Sequence, residues 1–200
     1  MTIRIAPQRF SFSLLISLGT ALLLSACASP GTRDARSAAA DDPIHRHALV
    51  RQASPTPDWG RLRELLSTAT ESLPGITVGA ADTQGFRIEI PVADGFASGS
   101  TVIRPSLATA LDPIAQILAG EPGVAIKLIG HTDSQGGEMV NLRLSIERAE
   151  SVVTYLGERG IAFERLSADG HGEADPLTSN ATEAGRARNR RVELQLRVMP

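Results

Sequence analysis

Lysine is almost missing from these 200 residues: Lys127 stands alone, and arginine supplies the rest of the positive charge. The formal net charge is -2, so there is no broad basic field of the kind that phosphate-backbone binding needs, and nucleic acid is excluded as an expected partner. Cysteine is just as scarce. The one thiol, Cys27, cannot close a disulfide within the chain, so an exported protein would have to use it for something else. Metal-ligand spacing is also wanting. Ile44-His45-Arg46-His47 offers two imidazoles without a cysteine or carboxylate at suitable spacing, which reads as solvated histidines. His131 and His171 have no serine or cysteine nucleophile in a recognisable motif, and no paired-carboxylate motif stands out. No catalysis, metal or cofactor is therefore expected.

What the sequence does have begins at its start. The first 26 residues are laid out like an export signal, with Arg4 and Arg9 leading an apolar run from Phe10 to Leu24 that no acid interrupts. That run is shorter than the ~20 residues a helix needs to cross a bilayer, which argues against a permanent span. It ends in Leu24-Ser25-Ala26-Cys27, which resembles a lipobox, and the resemblance implies cleavage before Cys27 and acylation of its thiol. Such a lipidated terminus holds a protein on a membrane. Ala28, where an aspartate would signal retention, resembles the pattern sorted to the outer membrane. From Cys27 to Pro57 the chain is rich in Ala, Ser, Asp, Arg and Pro without sustained apolar periodicity, and reads as a flexible tether.

Periodic segments follow. Trp59, Leu62, Leu65, Leu66, Ala69 and Leu73 recur at helical spacing behind Asp58, a plausible N-cap, and Pro74-Gly75 ends that helix. Ile76 to Ala80 and Phe86 to Val92 read as a hairpin, so residues 58–84 form an accessory segment before a domain over 85–200. Within the domain, Leu107, Leu111, Ile114, Ile117 and Leu118 mark a helix, and Val124 to Ile129 a buried strand. A second helix runs from about Met139 to Arg159, its apolar stripe formed by Leu142, Ile146, Ala149, Val153 and Leu156. Strands near Leu166 to Ala168 and Val192 to Val198 flank a short helix around Thr182 to Arg188. The class is α+β, a two-layer sandwich of helices on one sheet.

Four pieces in order carry a family likeness: Phe96-Ala97-Ser98-Gly99-Ser100; Gly130-His131-Thr132-Asp133 with Gly136; Asn141 to Ala149; and Gly185-Arg186 with Asn189-Arg190-Arg191-Val192. From Phe86 to Leu196 the chain resembles the OmpA C-terminal-like family, whose domains bind peptidoglycan. The resemblance implies a mixed sheet and a ligand, the diaminopimelate of the wall's stem peptide, that offers an ammonium and a carboxylate close together. By match of position it implies Asp133 as the acid and Arg148 as the base, Asn141 and Arg190 as further polar members and Leu144 as an apolar wall. The residue types suit the chemistry, because a carboxylate accepts from an ammonium while a guanidinium fork donates two parallel bonds to a carboxylate.

Spacing alone leaves other roles open. Asn141, Ser145 and Arg148 share one border of the apolar stripe, where a rim residue belongs. Asp133 can equally cap its loop, Arg148 can pair with Glu147, and Asn141 can N-cap the helix. The expected function is an outer-membrane lipoprotein that tethers membrane to wall. The rivals are a wall-anchoring subunit of a larger envelope complex, with other envelope proteins as partners, or a peptidoglycan hydrolase.

Overall fold

A computed structural model describes residues 56–200. The export signal, Cys27, all but the last two tether residues, His45 and His47 lie outside the described residues. Ten elements follow one another: α1 (Trp59–Thr70), β1 (Thr77–Val78), β2 (Gly85–Pro91), α2 (Pro105–Ala119), β3 (Val124–His131), α3 (Glu138–Gly157), a 3-10 turn at Phe163–Arg165, β4 (Leu166–Gly172), α4 (Glu183–Asn189) and β5 (Arg191–Val198). The strands form one sheet in the order β1-β2-β5-β3-β4. β5 lies between β2 and β3 and is antiparallel to both, whereas β3 and β4 run parallel, so the sheet is mixed, as expected. A parallel pair needs a crossover, and α3 supplies it.

Alternation along the strands sorts the two faces. Ile88 and Ile90 of β2, Val124, Ile126 and Leu128 of β3, and Val192, Leu194 and Leu196 of β5 point into one apolar core, which α1, α2 and α3 cover. The intervening residues, among them Arg87, His131, Arg191 and Glu193, take the other face. Helix α1 starts where Asp58 caps it, its carboxylate accepting from the Arg61 N–H at 3.0 Å. Trp59, Leu62 and Leu66 are buried in the same core, and Trp59 meets Phe86 edge to face with ring centroids 6.0 Å apart. Each such leucine stabilises the fold by roughly 1.5–3 kcal/mol relative to an exposed one. Helix α1 is thus packed on the sheet through β2.

Helix α3 begins and ends close to the expected limits, but it is rolled about its axis relative to the expected stripe. Its buried residues are Asn141, Ser145, Arg148, Ala149, Val152 and Leu156, while Leu142, Ile146 and Val153 are only half-buried. Two glycines explain the roll. A Cβ on Gly130 would lie 2.1 Å from the Ser145 carbonyl oxygen, and one on Gly170 would lie 2.4 Å from Ser145 Oγ. The small side of the helix therefore rests on bare strand backbone, and Ser145 Oγ accepts from the Gly172 N–H at 3.0 Å. Leu142 and Ile146 are left over β4, the edge strand.

Candidate functional site

The roll of α3 turns Asn141 and Arg148 inward, toward Asp133 in the loop after β3. Arg148, expected at a rim, is instead 7% exposed, with Asp133 at 7% and Asn141 at 4%. These residues line a cleft of about 280 Å³ together with Leu144, Arg190, Phe96 and the loop that follows Phe96. Four chain segments meet there: the loop after β2, the loop after β3, the first turns of α3, and the junction of α4 with β5. All five domain residues implied by the motif pattern converge in this one place. Cys27 lies outside the described residues.

Each side chain is held by identifiable partners. Arg148 donates from Nε to the Ser100 carbonyl at 3.1 Å and from Nη2 to the Ala97 carbonyl at 3.2 Å, and its guanidinium lies over the Phe96 ring, 4.9 Å from the centroid. It does not pair with Glu147, which instead accepts from Arg143 at 2.7 Å. Among the described residues Arg148 Nη1 has no acceptor. Burial, and then the neighbouring Arg190 charge, push the Arg148 guanidinium below its ordinary value, while Asp133 pulls it back. An arginine still keeps its proton in a protein, so the cleft holds a fixed cation with donors to spare.

Asp133 does cap its own loop, with Oδ1 accepting from the Gln135 N–H at 3.0 Å. Its other oxygen, Oδ2, accepts from Arg190 Nη1 at 2.6 Å. Arg190 also donates from Nη2 to Glu183 at 2.7 Å. Burial alone would lower the Arg190 value, but the bonds to Glu183 and Asp133 outweigh it and raise it. Each carboxylate oxygen has two lone pairs, so Asp133 can accept further donors without releasing either partner. Asn141 is not the N-cap of α3, since that position belongs to Gly137. Its Nδ2 donates to Glu173 Oε2 at 2.8 Å and to the Asp133 carbonyl at 3.3 Å.

Phe96, Glu173, Glu183 and the carbonyls of Ala97 and Ser100 are the parts that residue patterns did not assign. A backbone carbonyl has no sequence signature. Glu173 had one usable signal: it directly follows β4, and the ends of adjacent parallel strands are where open sheets place ligand groups.

His131 belongs to the opposite face. Burial, and then the Arg191 charge, lower its imidazole from the ordinary 6.5 to about 4, with Glu193 opposing. Its Nδ1 faces the Ala174 carbonyl at 3.4 Å, and the ring stacks edge to face with His171 at 5.2 Å. Glu193 is gripped there by Arg191 at 2.7 Å and by Arg87 at 3.1 Å. Among the described residues no group of three or more His, Cys, Asp or Glu side chains is placed to hold a metal ion.

Comparison with known proteins matches residues 95–190 to the OmpA family. The chain is 43% identical over 101 residues to a probable lipoprotein, YiaD, of Escherichia coli strain K12, covering 50% of this chain and 46% of that one. A peptidoglycan-binding protein, ArfA, of Mycobacterium bovis is 34% identical over 156 residues, which is 75% of this chain and 47% of the relative. Among solved structures, the cell wall anchor of the T6SS from Pseudomonas aeruginosa aligns with a TM-score of 0.61 at 28% identity, covering 72% of this chain and 99% of that one. The chain spans about half the length of these curated relatives.

Proposed function

Since residues 95–190 match the OmpA family, we propose that the cleft binds the stem peptide of peptidoglycan at diaminopimelate, and that Cys27 carries the lipid that fixes the other end in the outer membrane. The observation that supports the reading best is the pairing of Asp133 and Arg148 in one cleft, each held by the fold and each with bonding capacity left over. A free ammonium meets the Asp133 carboxylate, and the adjacent carboxylate meets the unspent Nη1 edge of Arg148, with Arg190 adding positive charge beside it. Asn141 contributes a polar contact, and Leu144 an apolar wall. The protein holds the wall and does not cut it.

One charge-assisted bond contributes about 1.5–3 kcal/mol before ordering costs, so a single cleft binds modestly and many on one membrane hold by avidity. The test is sedimentation with purified peptidoglycan. Wild type should pellet, and Asp133→Ala and Arg148→Ala should stay in the supernatant while keeping their circular dichroism. Undiminished pelleting of the folded variants would falsify the reading, and release of soluble muropeptides would point to a hydrolase. Cys27→Ser should move the protein from the membrane to the soluble fraction.

A second reading has its own support in the 99% coverage of the Pseudomonas aeruginosa wall anchor. Here the same cleft fixes a larger envelope complex to the wall. Stoichiometric co-purification of other envelope proteins after mild solubilisation separates the two, since a simple tether brings down none.

A further inference from the structure

Asn141 is almost fully buried at the floor of the cleft, yet only one end of its amide is committed. The Glu173 carboxylate and the Asp133 carbonyl, at 2.8 and 3.3 Å, can only accept, so the group facing them has to be the NH2. That leaves Oδ1 on the opposite side, where no donor among the described residues reaches it. The chain passes Oδ1 at Gly136, in a left-handed conformation with φ of 105, and even a Cβ there would stand 3.5 Å from the oxygen. Oδ1 has no partner among the described residues and yet is not fully enclosed. An oriented carbonyl oxygen in the cleft that Asp133 also lines is the complement of an ammonium group, which has three donors to place.

We propose that Glu173 is a positioning residue of the cleft: its carboxylate locks the Asn141 amide so that Oδ1, and not the NH2, faces the ligand's ammonium. The inference rests on the wall-peptide reading above. Glu173 itself need not touch ligand. It works by making the flipped amide costly, because a flip sets Oδ1 against two acceptors. Once Glu173 is removed, only the longer bond to the Asp133 carbonyl opposes the flip, and the flipped form presents hydrogens to a cation.

The experiment is a double-mutant cycle on the detergent-solubilised full chain. Its readout is the Kd for a soluble disaccharide-peptide muropeptide that carries diaminopimelate with its free ammonium. Glu173→Ala should weaken binding roughly tenfold, and Glu173→Gln, which keeps an acceptor for Nδ2, should stay within about threefold of wild type. In an Asn141→Ala background, Glu173→Ala should change Kd by less than about twofold, because the group it orients is gone. A purely structural role would give the same loss in both backgrounds, and that result overturns the proposal. Wild-type affinity in Glu173→Ala alongside lost binding in Asp133→Ala overturns it while leaving the wall reading intact. Wild-type affinity in both variants overturns the two together.

Discussion

The two halves of α3 are buried to the same depth by opposite chemistry. Toward its start the covered side chains are Asn141, Ser145 and Arg148, and toward its end Ala149, Val152 and Leu156. The apolar half follows the ordinary rule, since its side chains belong to the hydrophobic core. The polar half can be buried only because every group has a partner or an outlet. Ser145 caps the Gly172 N–H, Asn141 bridges Glu173 and the Asp133 carbonyl, and Arg148 binds two carbonyls. Unpaired polar groups there would cost about 1–3 kcal/mol each. One half of the helix thus stabilises the fold and the other shapes a cleft, and a single glycine-floored sheet carries both.

Substitutions can break that division. The largest effect is expected from Leu156→Ala, at about 3 kcal/mol of stability from lost burial and the cavity left behind. Chemical denaturation measures it, and the protein that remains folded should still pellet with peptidoglycan. Acid comes next, acting on the strand end beneath the polar half. His131 titrates near 4 in the folded protein, below its ordinary 6.5, so the unfolded chain takes up the proton first. Stability is complete above about 6.5 and is lost as pH falls toward 4, on the order of 2 kcal/mol by pH 4.5. Thermal unfolding across that range should show the slope, and His131→Gln should flatten it.

Ser145→Ala should cost about 1–2 kcal/mol, because it strands the Gly172 N–H under the helix. A loss as large as that of Leu156→Ala would mean the polar half is packing like the apolar one. Arg148→Lys is the smallest change for stability, about 1 kcal/mol, since an ammonium cannot hold both carbonyls. Its signature is in binding: the muropeptide Kd should rise at least about tenfold, because no fork remains to meet a carboxylate. A lysine variant that binds like wild type would show that charge alone suffices.

Helix α3 also marks where sequence reasoning stopped. Its extent was legible, because a period of 3.6 over twenty residues leaves little freedom in placing it. Its facing was not. Leu142, Ile146 and Val153 make the more hydrophobic stripe, and only the close approach allowed by Gly130 and Gly170, distant in sequence, turns the smaller side inward. The hairpin of β1 with β2 and the strands β3, β4 and β5 were recoverable as elements, whereas the central place of β5 depends on pairings across the whole chain. At the cleft, Asp133, Asn141, Leu144, Arg148 and Arg190 could be singled out only through motif resemblance. Spacing by itself left Asp133 as a loop cap, which it also is. Glu173 had only its place after β4 to mark it, Glu183 belongs to no motif piece, and the Ala97 and Ser100 carbonyls carry no side-chain signal at all.

The two carbonyl bonds that pin Arg148 over Phe96 have a thermodynamic meaning. A free arginine on a surface loses about 2 kcal/mol of rotamer entropy when it is immobilised. Here that ordering happens when the chain folds, so it is not charged again on association. The cleft behaves as a preformed mould. Its Nε–H signal should be sharp and protected from solvent exchange in the ligand-free protein, and tightening of the complex should come through slower dissociation without any faster capture.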